Sequence, residues 1–261
     1  MKKKGLYIYC IIGASQPLSF GLIGIGGRGD EVYTVCYGAL GAVVSDSPVT
    51  DYRVSRENTI AHEKAIEQVM KTHTVLPVRF CTIAEDEEKV KKILEKEHDR
   101  FIDLLKDMEG KKELGLKAVF FAKGGSDSGG EKDIYNHILE KYDDVRKLKE
   151  KIAELPPEKA RYQYIKIGKM VEAALEKEKE IHKKHILDCL KPLAVEFKEN
   201  STYGERMIIN AAFLVNKDKE DEFDQQVREL DKRYGEKIRF KYVGTLPPFN
   251  FINLVIETGK Y

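Results

Sequence analysis

The fold class is decided by residues 207–243, which read MIINAAFLVNKDKEDEFDQQVRELDKRYGEKIRFKYV. The run 207–215 is short and almost wholly apolar, which is typical of a buried strand. From 218 to 234 apolar residues recur every three or four positions, which predicts a helix, and Gly235 marks its end. A further strand pattern follows at 238–243. This strand, helix, strand unit predicts a fold of the α+β class.

Two long helical patterns precede this unit, at about 132–154 and 157–190, and Leu155-Pro156-Pro157 separates them. Proline ends one helix and is favoured as the first residue of the next, so we expect a helical hairpin over about 132–190. Apolar stripes allow the two helices to pack on each other, and a homodimer through the same stripes is the alternative. The stripes consist of Ile134, Ile138, Tyr142, Val145, Leu148 and Ile152, and of Tyr164, Ile167, Val171, Ala174 and Ile181.

Strand patterns also occur at 117–122, 194–197 and 251–256, and the Gly/Ser-rich run 124–130 reads as a loop. From residue 117 onward the order is strand, helices, strand, strand, helix, strand. This order predicts a ferredoxin-like domain over 113–261, with the hairpin as an enlarged crossover and one additional strand.

The first third of the chain predicts a separate small α/β domain over residues 1–112. Strand patterns at 6–12, 32–37 and 40–44 are followed by a helix at 56–73 with Ser55 as its cap. Residues 75–82 alternate as a strand, and Pro77 favours an edge position because it donates no ladder hydrogen bond. A second helix is expected at 86–109.

Charge and composition exclude several classes of protein. The chain has 45 Lys and Arg against 44 Asp and Glu, mixed along its length, so no global field favours nucleic acid. No apolar run approaches the length of a membrane span, and the N-terminus lacks a convincing signal-peptide cleavage site. We therefore expect a soluble, cytoplasmic protein whose four cysteines are reduced.

No motif in the sequence predicts catalysis, a cofactor or a metal. The glycine-rich run 21–30 is followed by a strand pattern, whereas a phosphate-binding loop opens a helix. His182, His185 and Cys189 share a helical face without a visible fourth ligand. The chain is thus expected not to be an enzyme, and the alternative is a small-ligand or nucleotide-binding ferredoxin-like protein or enzyme.

Several blocks spread over the chain resemble the GvpF/GvpL family of gas vesicle proteins. The blocks are GLYIY at 5–9, His62-Glu63, LPVRFCT at 76–82, MIINAAFLV at 207–215 and GTLPPFNF at 244–251. The chain departs from the family pattern at Cys81, where the family usually has Gly, and at Leu246, where Trp is common.

The resemblance implies an accessory or minor structural role in gas vesicles, the gas-filled, protein-walled flotation compartments of some microorganisms. It implies binding to the hydrophobic main shell protein, GvpA, and to other accessory proteins. A strand edge or an apolar patch suits such a partner, because an isolated shell subunit exposes apolar surface. The expected partner-binding residues are Leu76, Arg79, Phe80, Asn210, Phe213, Pro247, Pro248 and Phe249.

Overall fold

The computed structural model describes residues 4–49, 52–120 and 130–260. The chain divides into two compact units: unit 1 contains Met1–Glu113 and Thr245–Tyr261, and unit 2 contains Leu114–Gly244. One six-stranded and one four-stranded sheet, together with helices, confirm the α+β class. The first change of unit, between Glu113 and Leu114, lies next to the domain boundary expected at 112. The last residues, from Thr245, belong to unit 1, which differs from the expected second domain of 113–261.

Unit 1 is built around a long central strand. Its sheet has the order β2-β3-β4-β1-β5, with β6 also pairing with β1. The eight interior residues of β1 are all buried, which explains their nearly continuous apolar sequence. The elements are β1 (Lys4–Gly13), β2 (Ser19–Gly21), β3 (Val32–Tyr37), β4 (Leu40–Pro48), α1 (Arg56–Met70), β5 (Val75–Pro77), β6 (Ile83–Ala84), α2 (Glu87–Lys96) and α3 (His98–Met108).

Local signals set the helix ends in unit 1. The Ser55 hydroxyl accepts a hydrogen bond from the Asn58 N–H at 3.2 Å and caps α1, as expected. The prediction of one helix over 86–109 is wrong, because Glu97 has φ −99° and ψ 10° and separates α2 from α3. Gly110 follows α3 with φ +69°, a left-handed conformation that glycine adopts at helix ends.

Unit 2 contains the expected helical hairpin, but the prediction of one helix over 132–154 is wrong, because Tyr142, with φ −110° and ψ 97°, separates two helices, 130–141 and 143–153. Its sheet has the order β10-β7-β9-β8. The predicted strand at 251–256 is not in this sheet; Leu254 instead pairs in parallel with Val78, in unit 1. The elements are β7 (Lys111–Phe120), α4 (Gly130–Lys141), α5 (Asp143–Ala153), α6 (Pro157–Leu190), β8 (Glu196–Glu199), β9 (Met207–Asn216), α7 (Glu220–Tyr234) and β10 (Ile238–Leu246). The predicted loop at 124–130 lies outside the described residues, except for Gly130, which begins α4.

The hairpin helices α4, α5 and α6 pack on one another through a buried apolar stripe. The stripe consists of Ile138, Leu139, Val145, Ile152, Ala160, Ile167 and Ala174. Tyr164 and Ile181, expected in it, are instead 61% and 50% exposed. None of the helices in the described ranges is both long enough and apolar enough to span a bilayer.

Candidate protein-binding site

The chain between β5 and β6 bulges out of the sheet of unit 1. The Val78 N–H donates to the Tyr9 carbonyl and the Ile8 N–H donates to the Thr82 carbonyl, both at 2.9 Å, so both ends of the bulge stay on β1. Cys81 has φ +66°, the left-handed region that favours glycine. The bulge leaves Arg79 exposed and Phe80 half-buried.

A buried hydrogen-bonded cluster supports this bulge from below. The Cys81 N–H donates to the Tyr7 hydroxyl at 2.9 Å, and that hydroxyl lies 3.0 Å from His62 Nδ1. A neutral imidazole that accepts the Tyr7 O–H at Nδ1 carries its proton on Nε2. Rings of Phe80 and Phe249 pack against His62 at 5.7 and 6.0 Å between centroids.

The imidazole of His62 is kept neutral by its surroundings. It is 2% exposed, and within the described part of the chain its Nε2 has no hydrogen bond of normal geometry. Burial lowers the pKa of His62 to about 4, and the Val78 carbonyl opposes this effect only weakly. Burial likewise raises the pKa of the Tyr7 phenol far above its ordinary value. This cluster therefore serves as a structural support and carries no charge near neutral pH.

The C-terminal segment completes the site from the other side. The Arg79 N–H donates to the Leu254 carbonyl at 3.1 Å, and burial alternates along 252–256, with Val255 turned outward. The turn before this segment is fixed by Glu113, a buried carboxylate that accepts bonds from the Asn250 backbone at 3.0 Å and side chain at 2.5 Å. The chain end is thereby held beside the bulge.

Together the bulge and the C-terminal segment form an open groove of about 660 Å³. Exposed apolar side chains, Val49 at 40% and Val255 at 46%, stand beside the cationic Arg79. Apolar surface next to a guanidinium is a common composition for protein contacts. We refer to the surface lined by Val49, 79–83 and 255–258 as the unit 1 groove.

The expected partner-binding residues do not form one surface. In unit 1, Arg79 and Phe80 line the groove, and Phe249 is 38% exposed over His62. Leu76 is fully buried, and Pro247 and Pro248 are buried in the turn. The remaining two lie in unit 2, on β9, at positions whose side chains point to opposite faces of the sheet. Phe213 is fully buried, and the Asn210 amide donates to the Ser201 carbonyl at 2.8 Å.

Other sequence features are occupied by structural contacts. The Ile25 N–H of the glycine-rich run donates to the buried Tyr9 hydroxyl at 2.7 Å, so the run folds onto the core. His185 is hydrogen-bonded to the Tyr234 hydroxyl at 3.0 Å, and His182 packs edge-on against the Tyr234 ring. Within the described ranges, no three His, Cys, Asp or Glu side chains are grouped so as to hold a metal.

Two residues central to the site, His62 and Val255, were not among the expected ones. His62 was marked only by its place on the apolar side of α1 and in one of the family blocks. No local sequence pattern marked Val255 as a surface contact, because its position depends on the return of the C-terminal segment to unit 1.

The comparisons with known proteins cover nearly the whole chain. Residues 5–253 match the family model of the gas vesicle synthesis proteins GvpL/GvpF. The chain is 29% identical to gas vesicle protein F of Nostoc sp. over 96% of this chain and 98% of that protein. It is 27% identical to gas vesicle protein F1 of Halobacterium salinarum over 97% of this chain and 95% of that protein. The crystal structure of GvpF from Anabaena sp. PCC7120 matches with a TM-score of 0.78 and 28% identity, over 96% and 99%.

Proposed function

Because the chain belongs to the gas vesicle synthesis protein GvpL/GvpF family, we propose that it is an accessory or minor structural protein that binds the main gas vesicle shell protein and supports vesicle assembly. The family match confirms the resemblance seen in the sequence. The proposed partners are the shell protein and other vesicle accessory proteins, and the proposed place of action is the gas vesicle. We propose no catalytic role.

The unit 1 groove is the proposed contact with the shell protein. The observation that carries this assignment is the exposure of Val49 and Val255 beside Arg79, next to a bulge held by buried hydrogen bonds. A preorganised surface with exposed apolar side chains binds its partner without a large loss of conformational entropy. Covering the apolar face of a shell subunit would also suppress its aggregation.

The test measures binding of purified full-length protein to the shell protein, together with the turbidity of the shell protein during dilution from denaturant. Val255→Asp places a charge in the groove, and we expect it to weaken binding by about 10-fold or more. Arg79→Glu should weaken binding less than Val255→Asp does. Its effect should be larger at low salt than at high salt.

Matched controls lie outside the groove. Val54 is 85% exposed, so Val54→Asp introduces the same change at a site that does not line the groove. Arg56→Glu is the corresponding control for Arg79→Glu, because Arg56 is exposed at the start of α1. Equal losses for Val54→Asp and Val255→Asp, or no binding by the unaltered protein, would remove the proposal.

A further inference from the structure

A second exposed apolar surface lies in unit 2, at the turn of the hairpin between α5 and α6. Leu155 is 37% exposed, Tyr164 61% and Ile165 57%, although the hairpin stripe is already buried between the helices. These side chains border a groove of about 640 Å³ whose other walls are Ile152, Ala160 and Arg161. Apolar side chains clustered around an open groove are the usual composition of a docking site.

Basic side chains outnumber acidic ones around this groove. Residues 145–170 contain eight Lys and Arg against three Glu, whereas the whole chain has a net charge of +1. All eight basic side chains are exposed. Among the described contacts, only Arg146 has an ion-pair partner, Asp143, and Lys149 lies over the Tyr135 ring. The groove therefore lies in a surface with an excess of exposed basic side chains, most of which have no close ion pair among the described contacts.

The other end of α6 differs from this turn. There Lys179 pairs with Glu176, Lys183 pairs with Glu199, and Glu178 pairs with Lys141. At that end of α6 the expected mixed charges form ion pairs, whereas at the turn the basic side chains are in excess. Because the same helix is neutralised at one end and not at the other, the excess at the turn is a property of that surface.

A glycine on the same helix face points to a close neighbour. Gly168 lies in the interior of α6, one turn from Tyr164 and Ile165, and a Cβ placed on it would meet no atom within 4 Å. Glycine inside a helix costs about 1 kcal/mol relative to alanine, and the packing of unit 2 does not require it. A glycine at this position leaves room for the backbone of a partner helix to approach α6.

We propose that this surface, formed by Leu155, Arg161, Tyr164, Ile165 and Gly168 and called the hairpin tip, docks an acidic amphipathic helix of a partner protein. Apolar side chains of that helix enter the groove, its backbone approaches at Gly168, and its carboxylates pair with Lys159, Arg161, Lys166 and Lys169. An apolar groove fits aliphatic side chains better than a phosphate backbone, which favours protein over nucleic acid. The site lies in unit 2 and is independent of the unit 1 groove.

The probe is a fluorescent helical peptide of about 18 residues with Leu on one face and Glu on the other, titrated into the full-length protein. A second peptide with Lys in place of Glu, an RNA oligonucleotide and phosphatidylserine vesicles are titrated in parallel. We expect saturable binding of the acidic peptide alone, weakened several-fold when NaCl is raised from about 0.1 M to about 0.5 M. Preferential binding of RNA or vesicles, or no peptide binding up to about 1 mM, would overturn the proposal.

Variants then locate the peptide. Ile165→Ser should lower its affinity about 10-fold, whereas Ile181→Ser, at a similarly exposed position of the same helix, should change it less than about twofold. Lys166→Glu is compared with Lys184→Glu in the same way. Gly168→Ala should raise the melting temperature of the protein and yet weaken peptide binding. A damaged fold cannot produce this combination. Equal losses for Ile165→Ser and Ile181→Ser would exclude the hairpin tip.

Discussion

The unit 1 groove and the hairpin tip are both apolar surfaces beside exposed basic side chains, but they rest on different supports. Beneath the groove, the Cys81 N–H of the 79–82 bulge donates to the hydroxyl of buried Tyr7, which in turn is hydrogen-bonded to His62. The hairpin tip is supported by packing of apolar helix faces. The polar cluster of the hairpin lies around Glu178, about 25 Å along α6 from Arg161 at 1.5 Å per residue.

Because of this difference, we expect the residues that stabilise unit 1 also to shape its binding surface, whereas in unit 2 stability and recognition depend on different residues. Substitutions below the groove should change both the fold and the binding surface. At the hairpin tip, replacing an exposed apolar side chain should change binding alone, whereas Gly168→Ala should also raise stability.

The largest loss of stability is expected for Glu178→Ala. The Glu178 side chain is 3% exposed and accepts hydrogen bonds from Lys141 and from the Tyr142 hydroxyl at 2.7 Å. Burial alone would raise the pKa of Glu178, but these bonds lower it. Because Lys141 is 48% exposed, we expect a loss of about 2 to 3 kcal/mol, less than for a fully buried pair. Urea denaturation measures it, and Glu176→Ala, at an exposed ion pair, should cost under about 0.5 kcal/mol.

Acid should destabilise unit 1 through His62. Unfolded His62 binds a proton below about pH 6.5, whereas the folded form stays neutral to about pH 4. The unfolded state therefore gains protons first, and stability should fall by up to about 3 kcal/mol as the pH decreases from 6.5 to 4. His62→Asn keeps an acceptor for Tyr7 and should remove this dependence. His98→Asn, at a partly exposed histidine, is the control. If the pH dependence of stability is as steep in His62→Asn as in His98→Asn, the role of His62 is contradicted.

A smaller effect is expected at Cys81, where the bulge is strained. Cys81→Gly removes the steric strain of the left-handed backbone conformation. It also loses the hydrogen bond from the Tyr52 N–H to the Cys81 sulfur at 3.2 Å. Cys81→Ala loses that bond and keeps the strain. The Gly variant should therefore be more stable than the Ala variant by about 1 kcal/mol in thermal denaturation. The reverse order would show that the bulge relaxes without glycine.

The smallest effect is expected at the hairpin tip itself. Ile165→Ser truncates a side chain that is 57% exposed, so the free energy of unfolding should change by less than about 0.5 kcal/mol. A loss above about 1 kcal/mol would mean that Ile165 supports the hairpin, and the separation of recognition from stability in unit 2 would not hold.

Local periodicity was sufficient to predict strands in both parts of the chain. Together with the prolines at 156 and 157, it also predicted the helical hairpin. It did not distinguish partner contacts from core: Leu76 lies in an alternating run and Phe213 in a nearly continuous apolar run, and both are fully buried. The return of the C-terminal segment to Val78 depends on long-range pairing, for which the sequence has no local signal. The basic hairpin tip was hidden because nearly equal total charges mask a local excess.

The most direct test of two separate binding surfaces is a crossed measurement with two variants. Val255→Asp and Ile165→Ser are each titrated with the shell protein and with the acidic peptide. We expect Val255→Asp to weaken only the shell protein and Ile165→Ser to weaken only the peptide, each by about 10-fold. If folded samples of either variant lose both partners equally, the two surfaces are not independent and the assignment of one partner to each is wrong.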